Sequence, residues 1–326
     1  METCTFKELE AQAVCARIGA HWKASLVVAS AGNTARAFQA ACSRNGVPAT
    51  IVVPETALPL LWTRGGASSN VRLVALSGEA DYADAIEVGD AIASLPGFYT
   101  EGGARNVARR DGMGAVLLAA VEVTGKIPDH YVQAVGSGTG AIAAWEAMLR
   151  LAADGRYGNP TMRLHLSQNA PFTPLTDAWE AGSRSLPALP NGRQLSRGLY
   201  APVLANRTPP YAIAGGLFDA LAGTRGYMYR VTDEEARAAG RLFEESEGID
   251  IDPAAQVALA SLRQAIAMGR ITREETVVLN ITGGGSERLQ RERTRALLVP
   301  DIIMPMEDLK GGGRQKAMER IMEARS

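Results

Sequence analysis

From Leu26 onward, short runs rich in Val and Ile alternate with longer alanine-rich or amphipathic stretches. That alternation limits the architecture more than any other feature, because strand, helix and strand in succession close as a right-handed crossover onto a parallel sheet covered by helices. Strands are predicted at residues 26–30, 49–54, 71–76, 131–135, 163–167 and 276–281. Val and Ile are frequent in most of these runs and turn residues bound them. Helices are predicted at 33–43, 81–94, 105–123, 140–151, 233–247 and 253–268. Thr232 and Glu235 offer a capping box ahead of the fifth. The expected fold class is α/β, two doubly wound domains with mostly parallel strands and a cleft between them. The polar turn Gly125-Lys126-Ile127-Pro128-Asp129 separates two groups of strands, so a smaller domain is expected at 1–127 and a larger one at 128–326. The chain has no internal repeat; its irregular stretches are residues 186–197 and Gly311-Gly312-Gly313, and neither reads as a linker.

Composition narrows the function. At 326 residues and 46% hydrophobic, the chain has ample material for a core. Its longest apolar runs, such as Leu26-Val27-Val28-Ala29 and Val277-Val278-Leu279, fall far short of a bilayer span, and its start does not read as a signal peptide. A cytoplasmic protein without a membrane partner is expected. Lys and Arg total 34 against 35 Asp and Glu, so no overall field draws nucleic acid, and anionic ligands need local cations. Cys4, Cys15 and Cys42 form no CxxC pair, and His21, His130 and His165 are scattered in sequence, so no metal site is expected.

Four stretches can carry chemistry. Gly136-Ser137-Gly138-Thr139-Gly140 follows one predicted strand and opens a helix, where backbone amides and the helix dipole suit a phosphate. With Ala141 it also fits the dinucleotide pattern, which would need an acidic residue closing the next strand; Ser167-Gln168-Asn169 stands there instead. A plain tight turn is the third reading. Ser30-Ala31-Gly32-Asn33-Thr34 again joins strand to helix, with Asn33 as a natural N-cap or as a ligand group. Thr5-Phe6-Lys7 supplies an amine that would become nucleophilic if desolvated, although a lysine near a terminus is ordinarily solvated. Asn280-Ile281-Thr282 runs into Gly283-Gly284-Gly285, which suits either a pocket mouth at a sheet's carboxyl edge or a simple turn.

In their order and spacing, these four stretches resemble the fold type II enzymes that bind pyridoxal 5'-phosphate, the tryptophan synthase beta-like fold, and threonine synthase above all. The resemblance implies that the cofactor lies in the cleft. It implies that Lys7 is the catalytic lysine that forms a Schiff base, and that Asn33 bonds the cofactor's phenolic oxygen. Gly136, Ser137, Gly138, Thr139 and Gly140 would form the phosphate cup, with the Thr282 hydroxyl facing the pyridine nitrogen.

Closer still, residues 5–11, 101–114, 128–146 and Asn206-Arg207-Thr208-Pro209-Pro210-Tyr211 resemble the archaeal cysteate synthases, over essentially the whole chain. Threonine synthases usually carry Asp-Arg after the lysine; here Glu8-Leu9 follows. The resemblance implies conversion of O-phospho-L-serine and sulfite to L-cysteate and phosphate, a step of coenzyme M biosynthesis, by a homo-oligomer. It also implies a substantial segment ahead of the lysine that this chain lacks. Both substrates are anionic, and Arg105 and Arg109, at i and i+4 on one predicted helix face, are the expected cations, with Ser30 and Thr34 as further substrate contacts. The alternatives are a threonine synthase or cysteine synthase on the same cofactor, an inactive remnant of the family, or a nucleotide-binding α/β protein.

Overall fold

The computed structural model describes residues 1–19, 21–65, 68–158, 162–309 and 313–323, so Gly311 and Gly312 lie outside the described residues. The chain forms two compact units, one of residues 1–10 and 103–292, the other of 11–102 and 293–326.

The second unit is built on a five-stranded sheet ordered Ile302–Pro305, Val71–Ser77, Ala49–Pro54, Ser25–Ala29 and Phe98–Thr100. Every neighbouring pair is parallel. All six residues of Ala49–Pro54 are buried, as a strand covered on both faces requires. Val27, Val52, Val74 and Leu76 of the sheet pack with Val88 and Ile92 of helix Tyr82–Ala93 and with Ala317 and Ile321 of helix Gly313–Glu323. Trp62–Thr63 and Ala296–Leu297 form a separate antiparallel pair.

The first unit holds a four-stranded parallel sheet ordered Tyr227–Val231, Arg163–Asn169, His130–Ala134 and Val277–Leu279. Its core joins Leu117 and Val121 of helix Val107–Thr124 to Ala141, Ile142, Ala144 and Met148 of helix Thr139–Asp154, against Leu164 and Leu166 of the sheet. The expected capping box is present: Glu235 N–H donates to Thr232 Oγ1 at 3.2 Å and Thr232 N–H to Glu235 Oε2 at 2.8 Å.

The units do not divide at residue 127, where the sequence put the boundary. Helix Val107–Thr124 buries its apolar side against helix Thr139–Asp154, which binds it to the following sheet. At the other end, Ile302–Pro305 returns to add an edge strand beside Val71–Ser77. Composition along the chain carries no sign of such a return, because pairing partners are chosen in three dimensions.

Two histidines that are distant in sequence meet where the strands of this sheet begin. His130 Nδ1 lies 2.9 Å from His165 Nε2, and His165 Nδ1 lies 2.7 Å from the Tyr229 hydroxyl. Burial, with His130, Arg163 and Arg270 nearby, pushes His165 down to about 3 from an ordinary 6.5. Between those values the unfolded chain holds the extra proton. The neutral ring's stabilisation is therefore complete above about pH 6.5 and is lost as pH falls toward 3, with a slope of up to about 1.4 kcal/mol per pH unit. Urea midpoints followed into acid should fall more steeply for the native chain than for His165→Gln; parallel curves would remove this ring as the source.

Candidate active site

The carboxyl edge of the four-stranded sheet is where ligands of parallel α/β proteins bind, and three of the four predicted stretches converge there. The 136–140 loop leaves strand His130–Ala134, and Thr282 lies just past its neighbour Val277–Leu279. The chain's first residues are tied to the same edge. Phe6 N–H donates to the Thr282 carbonyl at 3.0 Å, the Thr5 hydroxyl donates to it at 3.2 Å, and Gly284 N–H donates to the Cys4 carbonyl at 3.2 Å. Lys7 then opens helix Lys7–Arg17, which the sequence reading did not predict. Its side chain is 20% exposed, with Nζ 4.8 Å from the Phe6 ring centroid and 3.6 Å from Glu10 Oε2.

The 136–140 loop touches this turn. A Cβ on Gly140 would meet the Phe6 ring at 3.0 Å and the Gln133 side-chain amide at 2.8 Å, so only glycine lets the helix start sit this low on the sheet. Gly138 has φ +80°, and a Cβ there would meet Leu217 at 2.8 Å. Among the described residues, no backbone acceptor serves the N–H groups of residues 136–141; the first recorded bond in the helix is Ile142 N–H to the Gly138 carbonyl at 3.0 Å. Amides free at the start of a sixteen-residue helix are the donor set a phosphate needs. The Ser137 and Thr139 hydroxyls lie 2.9 Å apart beside them.

Beneath the loop lies a buried network that the sequence reading missed. Gln133 Oε1 accepts from the Tyr131 hydroxyl at 3.0 Å and from Asn280 Nδ2 at 2.9 Å, and Asn280 Nδ2 also reaches the Tyr131 oxygen at 2.8 Å. Burial raises the Tyr131 phenol above its ordinary value, so it stays neutral. The alternation Tyr131, Gln133 in a buried strand was the available signal, since a polar side chain inside a sheet must find a partner there.

At the neighbouring strand end, Gln168 Oε1 accepts from Leu175 N–H at 2.8 Å and Thr176 N–H at 3.1 Å. That spends the position where a dinucleotide would need a ribose-binding carboxylate.

The profile described as "Pyridoxal-phosphate dependent enzyme" matches residues 1–283. The chain is 49% identical over 320 residues to the cysteate synthase of Methanocella arvoryzae, an overlap of 95% of this chain and 76% of that one. It is 52% identical over 302 residues to the cysteate synthase of Methanosphaerula palustris, covering 91% and 70%. The chain belongs to the pyridoxal-phosphate-dependent cysteate synthase family.

Solved structures extend the likeness in fold alone. A pyridoxal 5'-phosphate-dependent aspartate racemase superposes with a TM-score of 0.67 at 18% identity, over 87% of this chain and 81% of that one. Threonine deaminase isoform 2 from Solanum lycopersicum gives 0.64 at 17%, over 89% and 79%. The α/β fold type II architecture expected from sequence is thereby established.

Other predicted positions in this cysteate synthase family member turn out differently. Ser30, Asn33 and Thr34 belong to the second unit. Asn33 is not the N-cap of helix Asn33–Asn45; Gly32 is, with φ +142°, and the Ser30 hydroxyl accepts from Gly32 N–H at 3.0 Å and Ala35 N–H at 2.9 Å. A serine two residues upstream does the capping and leaves the half-buried Asn33 side chain out of it. Ser30 is thus spent on the backbone, and Thr34 is half-buried.

Arg105 and Arg109 do not share a helix face. Asn106 caps helix Val107–Thr124, accepting from Ala108 N–H at 2.9 Å, so Arg105 falls in the preceding turn and is exposed. Arg109 is buried, with Nε 3.7 Å from Glu10 Oε2. Arg110 pairs with Glu146 at 3.1 Å.

Proposed function

We propose that the chain catalyses β-replacement on O-phospho-L-serine, exchanging phosphate for sulfite to give L-cysteate, a step toward coenzyme M. The reading is supported by the pinning of Thr5 and Phe6 to the Thr282 carbonyl and of the Phe6 ring against Gly140, which seats the residue before a partly buried lysine on a loop of unbonded amides. On this reading the amides of residues 136–140, with the Ser137 and Thr139 hydroxyls, hold the phosphate of pyridoxal 5'-phosphate. Asn33 bonds its phenolic oxygen, and Thr282 offers a neutral hydroxyl to the ring nitrogen. The cofactor supplies an aldehyde for covalent attachment and a conjugated ring that accepts the electrons of the substrate's α-carbon.

Lys7 then has two tasks, to hold the cofactor between turnovers and, once displaced by the substrate amine, to take the Cα proton and later return it. The Cβ–O bond to phosphate breaks and a Cβ–S bond to sulfite forms, so the reaction needs no external oxidant or reductant. A hydroxyl at the ring nitrogen cannot hold a full positive charge there as a carboxylate would, which favours prompt departure of the β-substituent over transamination. The enzyme would work in the cytoplasm as a homo-oligomer on two small anions.

Because Arg109 is engaged with Glu10, we assign the substrate's phosphate to Arg105. Arg105→Ala should raise KM for phosphoserine by about tenfold or more, the worth of one hydrogen bond to a charged group. The visible absorbance of bound cofactor should not change. Equal loss of both, or of neither, would take Arg105 out of the substrate site.

The decisive assay mixes purified protein, pyridoxal phosphate, phosphoserine and sulfite and measures cysteate. Cysteate release with phosphate in equal amount is expected. Turnover only with sulfide, or only with O-phosphohomoserine, would overturn the sulfite assignment in favour of a cysteine or threonine synthase.

A further inference from the structure

Glu10 is a carboxylate with no solvent exposure at all, three residues beyond Lys7 on the same helix. Two cations approach the same oxygen, Oε2: Lys7 Nζ at 3.6 Å and Arg109 Nε at 3.7 Å. Arg109 comes from another element, helix Val107–Thr124, and its side chain is 6% exposed. An i,i+3 pair on a helix surface is worth little. A fully buried carboxylate is different, because its desolvation is tolerated only against a cation held beside it. The sequence resemblance gives this residue no role.

We propose that Glu10 is a positioning residue for Lys7 and that Arg109 balances it, so that the pair holds the amine at the cofactor site without locking it in its protonated form. This inference rests on Lys7 being the reactive amine. A nearby carboxylate alone would favour the ammonium, whereas catalysis needs the neutral amine to attack and to accept a proton. Arg109 cancels most of that bias, and the geometry of the contact to Glu10 is kept.

Two other charged groups near this helix start have partners of their own, and Asp252 packs against Gly283. On the same helix, Glu8 accepts from the Thr3 hydroxyl at 2.6 Å and from Thr3 N–H. On helix Val107–Thr124, Arg110 pairs with Glu146 of helix Thr139–Asp154. The adjoining stretch Asn280-Ile281-Thr282 has no titratable side chain.

The test is competitive labelling of the Lys7 amine with acetic anhydride across pH, read by mass spectrometry, which reports the lysine's own titration without turnover or added cofactor. Glu10→Gln removes the anion beside Lys7 and should move the Lys7 midpoint down by about one unit. Glu10→Gln combined with Arg109→Met removes both charges and should bring it back toward the native value. Arg109→Met alone should move it up by about one unit, and serves as the test if Glu10→Gln does not fold. A midpoint unmoved in each single variant, or a double variant displaced as far as Glu10→Gln, overturns the proposal. Failure of the catalytic reading shows elsewhere, as cofactor retained covalently when Lys7 is replaced.

Discussion

Lys7→Ala should yield a folded protein that shows no visible band with added pyridoxal phosphate and forms cysteate at least about a thousandfold more slowly. The fold should survive because Lys7 is the first residue of its helix and 20% exposed, and alanine suits that position. Activity should not survive, since on the proposed reading the same amine serves as attachment point and as carrier of the Cα proton. Borohydride reduction of the native protein with cofactor, followed by peptide mass spectrometry, should find the added mass on Lys7. A label on any other lysine, or a band that persists in the variant, would refute the assignment.

Gly140→Ala should lower stability by roughly 1–3 kcal/mol, as overpacking of a dense interior does, and weaken cofactor binding by about tenfold or more. The new methyl would lie 2.8 Å from the Gln133 amide atoms and 3.0 Å from the Phe6 ring. Gln133 is 3% exposed and clamped by Tyr131 and Asn280, so it cannot swing away without breaking buried hydrogen bonds. Strain then passes to Phe6, whose neighbour is Lys7. Gly19→Ala, where the space around the new methyl is empty, is the control. Urea midpoints and a cofactor titration measure the two effects; a variant matching the control in both would show that the close approach is not needed.

Beyond the cysteate synthase family, the aspartate racemase and threonine deaminase neighbours share only the frame. In the reading above, the reaction is selected by the groups along the sheet edge. The Lys7–Glu10–Arg109 contact belongs to those groups, since it draws on two helices from distant parts of the sequence.

Much of this molecule can be read along the chain. The run at 49–54 is a strand because β-branched and apolar residues there are continuous enough for burial on both faces, and in the run at 163–167 Leu164 and Leu166 alternate with polar residues as a strand allows. The helix at 233–247 has its predicted start because Thr232 and Glu235 cap it locally, and its end because Gly248 turns left-handed there. The glycine loop and Thr282 could be expected at a sheet's carboxyl edge because they follow strand ends, whereas the lysine was singled out only by the family resemblance. Strands Phe98–Thr100 and Ile302–Pro305 were missed, since so few residues show no period, and so was helix Lys7–Arg17. What only tertiary structure decided was partnership. Phe6 and Thr5 bond the Thr282 carbonyl across most of the chain, Arg109 meets Glu10, Ser30 takes the cap expected of Asn33, and residues 302–305 return to the first sheet. Local propensity acts over a few residues, whereas a buried charge or an open strand edge takes whichever partner the packed chain brings to it.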